Sequence, residues 1–282
     1  MGGKRWCDIE TIGFFGGDAR MARLAELFAA DGYEVRSWGL AGRPESTPSE
    51  TAGASRVVLP VPLSEDGRLR GTNLPLGELW PRLDPARNVY AGAVPPAERA
   101  RAEAVGLRVV DYFADEALAV KNAVPTAEGA IAAAMERLPV TLHGTPCLVV
   151  GFGRIGKLLA RGLSALGAEV AVSARRADDL AWIGALGYAA LHTEHLSGTL
   201  EPFRVIFNTV PAMVLDEGLL REARRDCVLI ELASKPGIDA DAARLLGLDY
   251  VKAGGLPGKV APETAARAIQ ETLYRLWEDE KA

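Results

Sequence analysis

The residues of this chain best suited to chemistry lie at Gly151-Phe-Gly-Arg-Ile-Gly156, directly after the apolar run Cys147–Val150. The order is strand, tight turn, helix, with G-x-G-x-x-G at the junction. In such a motif the first glycine permits the turn, and the second lets the backbone approach a pyrophosphate. The third lets the helix pack closely on the strand. Gly151, Gly153 and Gly156 occupy those places, with Arg154 and Ile155 opening the helix. Ile155, Leu158, Leu159 and Leu166 recur at helical spacing, and Lys157 and Arg161 fall on the solvent side. Unpaired N–H groups and the helix dipole at that end favour a phosphate. The motif therefore predicts dinucleotide binding.

The acidic residue that accepts hydrogen bonds from the ribose of NAD stands about 20 positions further on, at the tip of the second strand. Here Glu169–Ser173 reads as that strand, but its tip is Ser173-Ala-Arg-Arg176, and no carboxylate follows until Asp178. A serine hydroxyl with Arg175 and Arg176 suits a 2′-phosphate. One charge-assisted hydrogen bond contributes roughly 1.5–3 kcal/mol, enough to favour NADP by about 10- to 100-fold. NADP is the expected coenzyme, with NAD possible.

Ligands of doubly wound sheets sit beyond the carboxyl ends of the strands. Polar turns are expected there at Gly16–Arg20, Lys121–Gly129, Asn208–Pro211, Ser234–Gly237 and Leu256–Lys259. Their cations, Arg20, Lys121, Lys235 and Lys259, point to an anionic substrate gathered in a cleft between two domains. The histidines carry less. His143 precedes the central strand, at the wrong end of the sheet. His192 and His195 lack a third ligand, so no metal site is expected. No histidine follows position 195. The late His–carboxylate pair of 2-hydroxyacid dehydrogenases of similar layout is therefore missing.

The elements that must position these residues alternate. Thr11–Phe15 reads as a strand, and Met21, Leu24, Ala25 and Phe28 line one helical face after it. Strands follow at Tyr33–Ser37, Arg56–Pro60, Asn88–Tyr90 and Leu107–Val110, with a polar excursion at Ser64–Gly71 and a helix from Pro95 to Ala104. Pro125 disfavours helix at Val124, and Thr126 suits an N-cap. A connecting helix is thus expected over 126–138, with Ile131, Ala134, Met135 and Leu138 on one face. Beyond the glycine motif, Trp182, Ile183 and Leu186 mark a helix. Further strands are read at Tyr188–Leu191, Arg204–Val210, Cys227–Leu232 and Asp249–Lys252. A last helix starts near Pro262 and buries Ala265, Ile269, Thr272, Leu273, Leu276 and Trp277. Such alternation implies parallel sheets covered on both faces. The expected fold is α/β, with two doubly wound parallel-sheet domains. A flavodoxin-like substrate domain is placed at 1–120 and a Rossmann NAD(P)-binding domain at 121–261. The helix at 262–282 is expected to pack back towards the first.

Composition narrows the class. At 282 residues, 49% hydrophobic and 24% charged, the chain has room for two ordinary cores. A net charge of −5 argues against non-specific nucleic-acid binding. No apolar run approaches the ~20 residues of a membrane span. Residues 1–8, M-G-G-K-R-W-C-D, lack an apolar signal core. Three cysteines without paired spacing point to a reducing compartment, the cytoplasm, and Cys147 and Cys227 to core thiols.

Several runs together resemble a known family. They are G-G-D-A-R at 16–20, N-A-V-P-T-A-E-G at 122–129, G-F-G-R-I-G at 151–156, F-N-T-V-P at 207–211, L-A-S-K-P-G at 232–237 and L-P-G-K-V-A-P at 256–262. Spread over nearly the whole chain, they resemble the A-type subunit of dipicolinate synthase, with Ile238 standing where a second glycine is expected. The resemblance implies NAD(P)-linked oxidation of dihydrodipicolinate, formed from 4-hydroxy-tetrahydrodipicolinate, in a branch of lysine biosynthesis. The setting implied is the mother-cell cytoplasm of a sporulating bacterium. The implied partner is the flavoprotein-like B-type subunit of dipicolinate synthase, and a homo-oligomer is expected.

A flat dicarboxylate needs two anion sites. Arg20 with the helix N-terminus after Gly17 is expected to hold one carboxylate. Lys121 or Lys235, with the Thr126 hydroxyl, would hold the other, and Lys259 lies among the same substrate-side cations. Asp18, Lys121 and Ser234 are the catalytic candidates. Asn208, Thr209, Val210, Pro211 and Ser234 are expected near the cofactor ribose and nicotinamide. Two alternatives stay open: an NADP-dependent dehydrogenase of another small amino, imino or hydroxy acid, and a non-catalytic nucleotide-binding subunit.

Overall fold

The computed structural model describes residues 10–280. The readings of residues 1–8, including Cys7, lie outside the described residues. The chain forms two compact units, Met1–Asn122 with Pro257–Ala282, and Ala123–Leu256.

The first unit runs β1 (Thr11–Phe15), α1 (Ala19–Ala30), β2 (Glu34–Trp38), α2 (Pro48–Ala52) and β3 (Arg56–Val58). It continues through the hairpin β4 (Ser64–Glu65) and β5 (Arg68–Leu69), then α3 (Leu76–Leu79), β6 (Asn88–Ala91), α4 (Pro96–Ala104), β7 (Arg108–Asp111) and the start of α5 (Glu116–Arg137). Its sheet is parallel, in the order β2-β1-β3-β6-β7. Leaving out the hairpin, this is the 2-1-3-4-5 order of flavodoxin-like sheets. Residues of one strand alternate between two cores, as a two-residue pleat requires. Ile12 and Phe14 face one cluster and Phe15 the other; Val58 and Tyr90 face the first, Val57 and Val89 the second.

The second unit takes the rest of α5, then β8 (Pro146–Val150), α6 (Arg154–Ala165), β9 (Glu169–Ala174), α7 (Ala177–Ala185) and β10 (Ala189–His192). After these come β11 (Val205–Asn208), α8 (Glu217–Leu220), β12 (Val228–Glu231), α9 (Ala240–Leu245) and β13 (Asp249–Lys252). Its parallel sheet has the order β10-β9-β8-β11-β12-β13, the 3-2-1-4-5-6 order of a Rossmann fold. The same alternation recurs: Cys147, Val149, Phe207 and Ile230 on one face, Leu148, Val150, Ile206 and Leu229 on the other.

The short α10 (Leu256–Val260) and the long α11 (Pro262–Asp279) close the chain. Within the first unit α11 docks on α1. The Trp277 and Phe28 rings lie 5.1 Å apart, the Arg56 guanidinium caps the Trp277 ring at 4.6 Å, and Asp31 accepts hydrogen bonds from Gln270 and Tyr274. Each large side chain so buried contributes roughly 1.5–3 kcal/mol. Leu276 is only half-buried on this face.

Local sequence misleads in one element. A helix was expected to begin at Thr126, yet α5 runs from Glu116 with Pro125 inside it. A proline there lacks one N–H and costs about 3 kcal/mol. Packing outweighs that preference, because Ala123, Pro125, Ala127, Ala130 and Ala134 are all buried along the helix. Met135, expected on the buried face, is exposed, as are Trp182, Leu186 and Leu166. The excursion at 64–71 is ordered by the β4–β5 hairpin.

Candidate functional site

In the second unit the register lines up the carboxyl ends of four strands. Val150 of β8 pairs with Ser173 of β9 and with Asn208 of β11, and Asn208 pairs with Glu231 of β12. The chain therefore leaves the sheet at one level four times, through Gly151, Arg175, Thr209 and Leu232. Gly151 turns with φ +103, and its amide donates to the Ser173 carbonyl at 2.9 Å. A β-carbon on Gly151 would lie 2.4 Å from Thr209 Oγ1, and one on Gly156 would lie 2.1 Å from the Gly151 carbonyl oxygen. The turn, the β11 loop and α6 are thus packed to contact. Gly153 differs, because a β-carbon there meets nothing within 4 Å. It stands at the N-terminus of α6, where no side chain caps the helix. Orphan N–H groups with open space before them fit the pyrophosphate of a dinucleotide.

Arg175 and Arg176 separate in role. Arg176 is exposed, starts α7, and pairs with Asp178 at 3.0 Å. Arg175 is exposed and has no carboxylate partner among the described residues. Of the two arginines expected at a 2′-phosphate, Arg175 is the one not paired with a carboxylate. Ser173 does not contribute to such a site. Its hydroxyl is completely buried and accepts a hydrogen bond from Thr193 at 3.1 Å, because residue 173 is still within β9.

Asn208 also corrects expectation. Fully buried, its amide donates to the Val210 carbonyl at 3.0 Å and to Glu231 Oε1 at 2.8 Å, leaving no face for a coenzyme. Glu231 was not foreseen. Its Oε1 also accepts from the Ala233 amide at 2.8 Å, and Oε2 accepts from the Gly237 and Ile238 amides at 2.7 and 3.0 Å. One buried carboxylate thereby folds the loop that exposes Ser234 and Lys235. Ile238 is buried and bridges Leu215, so it serves the core. A sequence signal existed in a glutamate closing the apolar run at Cys227–Ile230. Thr209 donates to the Val150 carbonyl at 2.9 Å, with Val210 half-buried and Pro211 exposed.

The candidates of the first unit rearrange more. Arg20 is 2% exposed and grips Asp18 through two hydrogen bonds of 2.9 Å, while its Nη2 donates to the Val61 carbonyl at 2.6 Å. Asp18 is itself the N-cap of α1, accepting from the Arg20 amide. The chain's own carboxylate thus occupies the helix start where a substrate carboxylate was expected. Gly17 offers no amide either, since its N–H donates to the Arg70 carbonyl at 2.8 Å. Nor is Asp18 an idle proton acceptor.

Lys121 pairs with Glu271 on α11, at the surface. Its bonds lead there and not to Asp18 or Arg20. Thr126 is buried in mid-helix, so no helix N-terminus accompanies it. The expected turn at Lys121–Gly129 is helix, and Lys259 is exposed on the short α10.

The three histidines lie apart from this chemistry. The His143 ring abuts Gly167, at the amino end of the sheet. His192 and His195 stack at 4.7 Å, and no metal-binding group of three or more ligands occurs among the described residues. Burial pushes the Cys147 and Cys227 thiols up to about 12.

Sheet order, glycine turn and uncapped helix define the second unit as a dinucleotide-binding Rossmann domain. Comparison with known proteins agrees. Residues 138–238 match an NAD(P)-binding family model, and residues 11–113 match the N-terminal domain of the dipicolinate synthase A-type subunit. The chain is similar to that A-type subunit. It is 36% identical to the Bacillus subtilis protein over 170 residues, 60% of this chain and 57% of the relative. The aligned part thus spans little more than half of that relative's length. The crystal structure of the A-type subunit from Bacillus halodurans superposes with a TM-score of 0.83 at 28% identity, covering 95% of this chain and 97% of that one. D-Lactate dehydrogenase from Escherichia coli shares the fold, with a TM-score of 0.64 at 17% identity over 96% and 97% of the two chains.

Proposed function

We propose that this chain is the catalytic subunit of a dipicolinate synthase, oxidising dihydrodipicolinate to dipicolinate with NADP. The observation that carries the reading is a pairing within one chain. A unit matching the N-terminal domain of the dipicolinate synthase A-type subunit is joined to a Rossmann unit with an open, uncapped phosphate cradle. The ring substrate forms by dehydration of 4-hydroxy-tetrahydrodipicolinate.

A bound nicotinamide coenzyme would supply the hydride acceptor, and the ring would lose one proton as it becomes aromatic. The chain's residues bind and orient. Amides at Gly153–Ile155 hold the pyrophosphate, and Arg175 pairs with the 2′-phosphate. Thr209, Val210 and the Ser234–Lys235 segment border the nicotinamide ribose, kept in place by Asn208 and Glu231. Aromatisation supplies a large driving force, so positioning matters more than a strong base. That is consistent with a chain that has no histidine after position 195. A flavoprotein-like second subunit completes the complex, which works in the mother-cell cytoplasm. No helix among the described residues is long and apolar enough to cross a membrane.

The test mixes purified protein with NADP and freshly made 4-hydroxy-tetrahydrodipicolinate and follows nicotinamide absorbance. Reduction with stoichiometric dipicolinate is expected. Its absence both with and without the flavoprotein-like partner would overturn the reading.

A further inference from the structure

Arg20 was the natural residue to hold a substrate carboxylate, and the structure commits it elsewhere. Its charge is matched by Asp18, both of whose oxygens it binds, and its Nη2 also donates to the Val61 carbonyl. The same corner holds a second guanidinium with a different status. Arg70 follows β5, in the turn after the hairpin. Its carbonyl accepts the Gly17 amide at 2.8 Å, which fixes its backbone against the β1–α1 turn, at the carboxyl edge of the first unit's sheet. Its side chain is 19% exposed.

The Arg70 guanidinium makes no hydrogen bond among the described residues. The nearest carboxylate oxygens are Asp18 Oδ2 at 3.7 Å and Glu65 Oε2 at 3.9 Å, both beyond hydrogen-bond reach. Asp18 is already saturated by Arg20, and Glu65 is 72% exposed. Arg20 takes up both oxygens of Asp18, so Arg70 is balanced only through two long contacts, the second to the largely exposed Glu65. A mostly buried guanidinium with no hydrogen bond costs desolvation energy that two ion pairs as long as 3.7 and 3.9 Å return only in part. A planar fork of this kind matches a carboxylate bidentately.

We propose that Arg70, and not Arg20, is the specificity-determining residue of the first unit, binding one carboxylate of the anionic substrate. Asp18 and Arg20 act as its neutral backing: Asp18 steadies the Arg70 position without consuming its hydrogen bonds. Arg70 is a binding group and carries no proton. The proposal rests on the dicarboxylate reading above.

The test measures binding of dipicolinate by calorimetry to wild type, Arg70→Ala, Arg70→Lys and Arg68→Ala. Arg68 is a neighbouring arginine whose Nη1 donates to the Asn73 carbonyl. Loss of a charge-assisted pair predicts dipicolinate binding weakened roughly 10- to 100-fold in Arg70→Ala. Arg68→Ala should bind as wild type, and NADP affinity should not change in any variant. If Arg70→Ala fails to fold, Arg70→Lys decides, because it keeps the charge but loses the fork. A several-fold weakening there supports the assignment. Equal affinity in wild type and the Arg70 variants, or equal loss in Arg68→Ala, overturns it. Wild type that fails to bind dipicolinate removes the dicarboxylate reading and this inference together. Wild type that binds while the Arg70 variants bind equally removes the inference alone.

Discussion

Asn208 and Glu231 meet across neighbouring strands, Nδ2 to Oε1 at 2.8 Å, at the last paired residue of each. This contact ties the β11 loop to the β12 loop, the two segments that border the coenzyme in our reading. Glu231→Gln turns one carboxylate oxygen into an NH2 group facing amide donors. A loss of about 2–4 kcal/mol in urea unfolding is expected. The KM for coenzyme should rise in the same variant, with little change in KM for the second substrate.

Arg20→Ala leaves the half-sheltered Asp18 carboxylate without its bidentate partner. A destabilisation of about 3 kcal/mol follows, as for other broken buried pairs. Differential scanning calorimetry should register it as a lowered Tm. A stable Arg20→Ala protein with only a raised substrate KM would return Arg20 to a substrate-binding role.

Arg175 and Arg176 should part in kinetics. Arg176 spends its charge on Asp178, whereas Arg175 faces solvent without a carboxylate. Arg175→Ala is expected to raise KM for NADP roughly 10- to 100-fold and to leave KM for NAD unchanged. Arg176→Ala should change both by little. Equal effects on the two coenzymes would remove the 2′-phosphate assignment.

Cys147 and Cys227 are held as neutral thiols by burial, pushed up to about 12. In the unfolded chain a thiol titrates near ~8.5. The folded state therefore binds more protons above that value, and stability falls as pH rises from ~8.5 towards 12. In a Cys7→Ser background, Ellman's reagent at pH about 8 should react with neither thiol in native protein and with both after denaturation. Rapid native labelling would place these thiols outside the core.

Much of the architecture was legible because periodicity survives in the sequence. The two-residue alternation at Ile12–Phe15 and Cys147–Val150 marks strands buried on both faces, and the glycine spacing at 151–156 marks the phosphate turn. Other features were hidden for physical reasons. Pro125 signals a helix start locally, but the buried alanines on either side of it carry α5 through. Asp18 and Arg20 look like two independent functional groups, and only their contact shows that they satisfy each other. Glu231 reads as a strand end, since its four partners come from residues whose positions depend on the loop that it folds. Arg70 reads as one charge in a polar turn. Its status emerges only from distances, because both carboxylates beside it stand beyond hydrogen-bond reach.

The central claim is that coenzyme phosphates rest on the amides at the start of α6. Gly153 tests it most directly, because a β-carbon there meets no protein atom within 4 Å, whereas at Gly151 it would lie 2.4 Å from Thr209 Oγ1. Calorimetric titration with NADP should show one coenzyme bound per wild-type chain. Gly153→Ala should unfold as wild type yet bind at least about 10-fold more weakly, since the methyl group intrudes only on the ligand. Gly151→Ala should lose about 2–4 kcal/mol of stability as well. Undiminished NADP binding by a folded Gly153→Ala, or no heat with either coenzyme in the wild type, would contradict the account.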